Sequence, residues 1–363
     1  MKTLTPGIRA ALALGLLARL LCGFVFTSWH ASDAEEYIDQ AHAILRGAWL
    51  THHPNGYPLL IAIVARVTGE RHLDVALLLV NMAVSTITIL LAAALASRMG
   101  VSEAGATAAA FVCAFWPNQL QQAQNIGADV PATFFLVLAV LLLSSGRGTW
   151  AGLAAGAGAA CRPSLVAAIV LLAAAAWRCR GGALRFTAAA AVPLVLVMAL
   201  AAEHGVGWTL DGHVGEVVAI ADQSFGGAMV ATGADMSARD ALRAYVRRAE
   251  REPGYFLRQR LASLWEMWGS WPFDNGRGAF RQLALGIRFP LVVAAVIGWF
   301  TRRSNPAAVY AAVAIVGLTL VHVALFSIAR FAVPMEPLAI ALAAGGLDGV
   351  GRGRTDTPCG TGS

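Results

Sequence analysis

The chain has 363 residues, of which 58% are hydrophobic and only 13% charged, with a mean hydropathy of +0.64. A net charge of +6 would point a soluble protein toward nucleic acid, but apolar runs near the roughly 20 residues a bilayer demands recur from end to end. A water-soluble globular domain and a nucleic-acid partner are thereby excluded, and an all-α polytopic membrane protein is left.

In chain order, Lys2 and Arg9 lead into an apolar run to Phe26. That run is long for a signal-peptide core and lacks a small-residue cleavage site before Trp29, so it reads as a retained span. Further apolar stretches bring the expected total to ten spans, near 8–28, 73–96, 101–117, 128–144, 149–161, 164–177, 183–202, 284–300, 306–327 and 331–347. With the N-terminus inside, alternate turns carry Arg98, Arg147, Arg178 with Arg180 and Arg185, Arg302 with Arg303, and Arg352 with Arg354. Arginine at nearly every inner turn is what the positive-inside rule requires. Residues 149–177 hold Arg162–Pro163 at their centre and could form one kinked helix or two short passes. The charge pattern favours two passes, because one would move Arg178, Arg180, Arg302 and Arg303 outside.

This topology makes 29–72 the first extracytoplasmic loop and 203–283 a large second one, while the Gly-rich 348–363 reads as a disordered cytoplasmic tail. Two helices are expected in the large loop. Ser237 and Asp240 suit a helix start, followed by a stripe of Leu242, Tyr245, Val246 and Ala249. Arg239, Arg243, Arg247, Arg248 and Arg251 lie off that stripe as a basic face, and Pro253–Gly254 stops the run. The next stripe, Leu257, Leu261, Leu264, Trp265 and Trp268, suits a helix at headgroup level. The five cysteines are isolated, so neither a metal cage nor a disulfide framework is indicated.

Between Ser32 and Gly47 lies a short amphipathic helix with a stripe of Tyr37, Ile38, Ala41, Ile44 and Leu45. Its first two turns are rich in acid: Asp33, Glu35, Glu36 and Asp39. Ser32 and Glu35 have capping-box spacing, Gly47 suits the stop, and Glu36 and Asp39 read as solvated. Asp33 is not needed for the cap. At the helix's first position the macrodipole favours its ionised form, so it either complements that dipole or acts as a general base at the water–lipid boundary.

Four segments share the outer side of this topology. An acid just after the first span precedes an amphipathic helix and then His53-Pro54-Asn55-Gly56-Tyr57-Pro58-Leu59-Leu60. Gly127-Ala128-Asp129-Val130-Pro131 opens the fourth span, Cys161-Arg162-Pro163 follows a Gly/Ala-rich one, and Arg330-Phe331-Ala332-Val333-Pro334-Met335-Glu336-Pro337 enters the last. In this order and on this side, the segments resemble the GT-C glycosyltransferases. The likeness is to the bacterial branch with protein mannosyltransferase-like and lipid A aminoarabinose transferase-like enzymes, and it covers most of residues 8–346. Departures are Asn55 for a frequent second proline, Phe331 for the usual tyrosine, and an acid pair split as Asp-Ala-Glu.

What the resemblance implies is a GT-C-like bundle over 1–347, in a bacterial inner membrane, with its site on the extracytoplasmic face. It implies a polyprenyl-phosphate sugar donor and an acceptor hydroxyl on a lipid, glycan or protein. Asp33 is then the candidate base. Asp129 is a second acid, orienting the acceptor or holding a divalent cation such as Mg or Mn, or else only a dipole partner for its own helix. Arg330, which has no acid nearby in sequence except Glu336, and Arg162 are candidates for the donor phosphate, with snorkelling at a span's end as the alternative. Glu36, His53 and Tyr57 are candidates for positioning substrate. Adjacent His52 and His53 cannot easily face one ion, and intramembrane His322 suits an interhelical hydrogen bond. The rival readings are a non-catalytic partner with the same fold and a transporter or flippase, although transporters tend to place ionisable groups near the bilayer midplane whereas the acids here cluster at one outer surface.

Overall fold

Each expected apolar stretch becomes a helix because a backbone in hydrocarbon must satisfy its own hydrogen bonds. The computed structural model describes residues 4–25, 33–50, 53–180, 182–209, 238–269, 278–325 and 329–351, and among them there is no strand. Helix α1 (Pro6–Val25) is followed by the outer-loop helices α2 (Ala34–Leu45) and α3 (Gly56–Thr68). Next come α4 (Leu73–Arg98), α5 (Glu103–Phe115), the short α6 (Pro117–Gln122), α7 (Asp129–Ser144), α8 (Gly148–Cys161), α9 (Leu165–Arg180) and α10 (Ala183–Glu203). The second half holds α11 (Ala238–Arg251), α12 (Pro253–Gly269), α13 (Gly278–Arg302), α14 (Pro306–Ala324), a 3-10 turn at Ala329–Met335, and α15 (Glu336–Gly351).

Local chemistry sets the breaks. Ser102 caps α5 by accepting from the Gly105 amide, and Pro117, which has no N–H to continue α5, opens α6. Asn305 caps α14 ahead of Pro306 in the first turn. Gly100 and Gly146, at φ 76° and 74°, end α4 and α7 in the left-handed region. Along α4, Thr86, Thr88 and Ser97 return their hydroxyls to carbonyls four residues back at 2.7–3.0 Å, so this long helix hides its polar groups.

Among the described residues, five of the expected ten spans are long and apolar enough to cross a membrane alone: Pro6–Gly23, Glu70–Arg98, Ala183–Glu203, Pro306–Ala324 and Arg330–Asp348. Several others, such as Glu103–Phe115 and Asp129–Ser144, are shorter. The shortfall has a packing reason, since the last span is 83% buried in the bundle and short helices beside it need not match the bilayer by themselves. The chain is a multi-pass membrane protein.

Close helix contacts fix the directions. A Cβ on Gly148 would meet Gly182, one on Gly152 would meet Phe186 and Ala189, and one on Gly156 would meet Ala190 and Pro193. Residue numbers rise together, so α8 and α10 run parallel. Helix α9 must therefore carry the chain back between them, which makes 149–177 two passes rather than one kinked helix. Likewise α13 and α15 run parallel: Arg288 pairs with Glu336 near one end, and Arg302 pairs with Asp348 at the other. Asp129, Arg162, Arg330 and Glu336 thus share one end of the bundle, while Arg98, Arg302 and Asp348 share the opposite one.

The large loop holds both expected helices. Among the described side chains of α11 only Tyr245 is buried, with its hydroxyl donating to the Ala324 carbonyl; Leu242 and Val246 are 51% and 46% exposed. Helix α12 leaves Leu257, Leu261 and Trp265 exposed too, and its anchor is Arg260, which donates to the Val323, Ala324 and Leu325 carbonyls at 2.8–3.1 Å. Those are end carbonyls of α14 with no helical partner of their own. Ser237 and the 348–363 tail past Gly351 lie outside the described residues.

Candidate functional site

Asp33 precedes α2, in the N-cap place that the sequence offered to Ser32, a residue outside those described. Its carboxylate makes no cap bond. Instead Oδ2 accepts from Arg330 Nη2 at 3.0 Å. Arg330 also donates from Nε to Asp129 Oδ2 at 2.6 Å, and Asp129 Oδ1 pairs with Arg162. The expectation that Arg330 has only Glu336 for a neighbour is therefore overturned. Glu336 is buried six residues on and pairs with Arg288 at 2.8 Å, while Arg330 bridges Asp33 and Asp129, acids 96 positions apart in the chain. Two carboxylates and two guanidiniums from four separate segments make one ion cluster.

Exposure divides this cluster. The Asp129 side chain is 2% exposed and that of Arg162 11%, whereas Arg330 shows 25% and Asp33 34%. Asp129 lies in the first turn of α7, where the positive end of the helix adds to the attraction of the two arginines. Arg162 follows α8 in extended backbone, φ −145°, and its guanidinium lies 4.9 Å from the centre of the Phe331 ring. Burial, and after it the like charge of Arg330, draws the Arg162 guanidinium down to about 9, which leaves it charged at neutral pH. His322 stacks on the same Phe331 ring at 4.4 Å, an aromatic contact where the sequence suggested only a hydrogen bond.

The other candidates lie one turn along α2. Glu36, 59% exposed, is hydrogen-bonded to the His53 ring at 2.8 Å, so it has a protein partner rather than being merely solvated. Tyr37 stacks against His53 at 4.4 Å and meets Tyr57 edge-on at 5.2 Å. Tyr57 itself is fully buried. It cannot touch a substrate as expected, and it supports Tyr37 from below instead. Burial raises the Tyr37 phenol above its ordinary range, so Tyr37 is neutral. Gly47, at φ 77°, closes α2 as its sequence position suggested.

Sequence reasoning missed three groups. Gln40 donates to the His53 carbonyl at 2.7 Å and to Asn55 Oδ1 at 2.5 Å, and accepts from the His53 amide at 3.0 Å, pinning the loop between α2 and α3. Arg288, 2% exposed, gives Glu336 its counter-ion, and Asn118 and Gln119 of α6 donate to the same carboxylate. Since Gln119 also donates to the Val333 carbonyl at 2.8 Å, this network seats the turn that presents Arg330. Arg19, fully buried inside α1, bonds Ser85 Oγ at 2.9 Å and the Ala114 carbonyl at 3.1 Å, tying α1 to α4 and α5. The amides clustered at 118–125 are the one sequence signal that pointed to any of these.

No family model and no curated protein sequence matches the chain. Solved structures do. The chain matches the *Archaeoglobus fulgidus* oligosaccharyltransferase tethered with an acceptor peptide containing the NVT sequon, at TM-score 0.58 and 13% identity. The fold is GT-C-like. The same GT-C-like core aligns with the *Archaeoglobus fulgidus* oligosaccharyltransferase AglB in complex with an inhibitory peptide and a dolichol-phosphate, at TM-score 0.53 and 15% identity. It also aligns with the apo form, at TM-score 0.55 and 13% identity. These alignments cover 94%, 94% and 93% of this chain but 49%, 49% and 50% of the others, so the chain spans about half their length.

Among the described residues no group of three or more His, Cys, Asp or Glu could hold a metal. Asp129 has two guanidiniums as its cations, and Asp33 shares one of them. This donor set does not fit the oxygen cage that a divalent cation needs.

Proposed function

We propose that the chain is a membrane glycosyltransferase that moves a sugar from a polyprenyl-phosphate-linked donor to an acceptor hydroxyl, on the extracytoplasmic face of a bacterial inner membrane. The observation that carries this reading is the cluster of Asp33, Asp129, Arg162 and Arg330 at one end of a GT-C-like bundle. The neighbours with that fold support it, since one of them holds a dolichol-phosphate and another an acceptor peptide.

The division of exposure suggests the division of labour. Asp129, enclosed by two arginines, fixes their positions and is not reachable as a base. Asp33 is the accessible carboxylate, and its tie is to the outward-facing Nη2 of Arg330. A donor phosphate competes for that guanidinium and releases Asp33 as it binds. Asp33 then takes the proton of the acceptor hydroxyl, and the hydroxyl oxygen forms its bond to the anomeric carbon. The bond from that carbon to the phosphate oxygen breaks with inversion, and its electron pair leaves on the phosphate, where Arg330 and Arg162 balance the charge. Glu36 with His53 lies one turn along α2 from Asp33 and suits contact with acceptor or sugar hydroxyls.

The test uses purified full chain, a panel of radiolabelled polyprenyl-phosphate sugars, and vesicles of the same preparation. Transfer of label to a lipid, glycan or peptide acceptor supports the reading. Absence of transfer with every donor, together with substrate-driven movement across the vesicle, would make the chain a transporter or flippase. Absence of both would leave a non-catalytic partner.

A further inference from the structure

Along the bundle, from Phe289 and Trp268 beside Arg288 down to the end away from the ion cluster, the structure holds a second feature that transfer chemistry does not use. A cavity of about 970 Å³ opens between α9, α12, α13, α14 and α15. Its walls are apolar, from Trp265 of α12 past Leu171 and Val316 to Trp299 of α13, and its polar lining groups include Arg178 and Arg303. That volume is near the upper end of what a small-molecule site encloses, and its walls suit hydrocarbon rather than sugar.

The arginines belong to the far end. Arg178 lies 13 residues beyond Leu165 on α9, about 20 Å at 1.5 Å per residue, whereas Arg162 precedes Leu165 by one short turn. Arg303 follows Arg302, which is paired to Asp348 at the close of α15. Asp348 also accepts from Ser102, so the acid at this end is already engaged. Both Arg178 and Arg303 are exposed and neither makes an ion pair among the described residues. An apolar slot that runs about 20 Å from Phe289 to Arg303, with two unneutralised guanidiniums at one end, matches a molecule with a long hydrocarbon part and an anionic head. A lipid in the leaflet at the arginine end has that form, and basic pockets between transmembrane helices bind such heads.

We propose that this groove is a binding site for an anionic glycerophospholipid of the leaflet opposite the ion cluster, with its phosphate on Arg178 and Arg303 and an acyl chain along α9, α13 and α14. The wall reaches α12, whose Trp268 donates to Thr319 at 3.3 Å, and Thr319 contacts Met335 at the foot of the turn that bears Arg330. An occupied groove therefore braces α12 and that turn together. A donor lipid with its phosphate at the ion cluster would leave Arg178 and Arg303, at the far end of the groove, without an anion, so a lipid head from the opposite leaflet is the better match.

The site is tested by native mass spectrometry of the purified full chain in detergent, with phosphatidylglycerol and phosphatidylethanolamine as competing probes. The expected result is a preference for phosphatidylglycerol of roughly thirtyfold, the attraction of two arginines near an anionic headgroup. The Arg178→Gln/Arg303→Gln pair, both at exposed positions, should reduce that preference to near unity while leaving residual binding of both lipids. Val316→Trp, which fills the groove from an exposed wall position, should lower retention of both lipids alike. Equal retention of the two lipids by the unmodified chain, or an unchanged preference in the double variant, overturns the proposal. Displacement of phosphatidylglycerol one for one by a polyprenyl phosphate also overturns it, since the groove would then belong to the donor. None of these readouts depends on turnover, so the site can fail while the transfer reading stands, and the reverse.

Discussion

Asp129→Asn removes one negative charge from a place where two guanidiniums converge. Breaking a buried pair by deleting one partner costs about 3–5 kcal/mol, because the remaining charge is left without compensation. Here Arg162 is 11% and Arg330 25% exposed, so water recovers part of that cost. Asp33 also still faces Arg330 at 3.0 Å, which leaves Arg162 as the main uncompensated cation. The expected loss is therefore about 2–4 kcal/mol, below the full buried value. Asp33→Asn, at a carboxylate 34% exposed, should cost no more than about 1 kcal/mol. The assay is unfolding of the purified chain in mixed micelles, followed by tryptophan fluorescence, for both variants and for Asp129→Asn combined with Arg162→Gln. The combined variant should recover a large part of the loss, since it removes the orphaned cation with its partner. Equal destabilisation by Asp33→Asn and Asp129→Asn would refute the division into a buried anchor and an accessible acid. So would a double variant no better than Asp129→Asn alone.

Three further outcomes are expected. Glu336→Gln strips Arg288 of its counter-ion at a site 1–2% exposed and should cost about 3–5 kcal/mol in the same unfolding assay, with Arg288→Met in the same chain restoring most of it. A reporter fused between α9 and α10 should signal the same side as the N-terminus; the opposite signal would contradict the two-pass reading of 149–177. Chelation with EDTA should leave transfer unchanged, because two guanidiniums face Asp129 where a divalent cation would otherwise be needed, and activity lost on chelation and restored by Mg or Mn would overturn that expectation.

Hydropathy made the helices legible because each span's length and apolarity belong to its own residues. It also led to the right number of passes at 149–177, through the positions of Arg178 and Arg303 rather than through the helix itself. Asp33, Asp129, Arg162 and Arg330 were all visible as polar residues at the ends of apolar runs on one side. Their partners were not. Arg330 looked free because its two acids are 201 and 297 positions away, and no local pattern records such a meeting. For the same reason the buried charges Arg19 and Arg288 passed unremarked inside apolar runs, since their cost is met by groups on other helices. Periodicity correctly marks which residues share a face, but it does not say whether protein or lipid covers that face, and here Leu242, Val246 and Leu261 are left uncovered by the chain.

The central claim is that Asp33 takes the proton of the acceptor. It is tested most directly by turnover of the Asp33→Asn variant with a polyprenyl-phosphate sugar, beside a measurement of donor binding. General-base catalysis contributes a factor of roughly 10²–10⁴, so transfer should fall by that much while donor affinity is kept or improved, Arg330 having lost a competitor. Transfer that proceeds in Asp33→Asn at the rate of the unmodified chain would contradict the account.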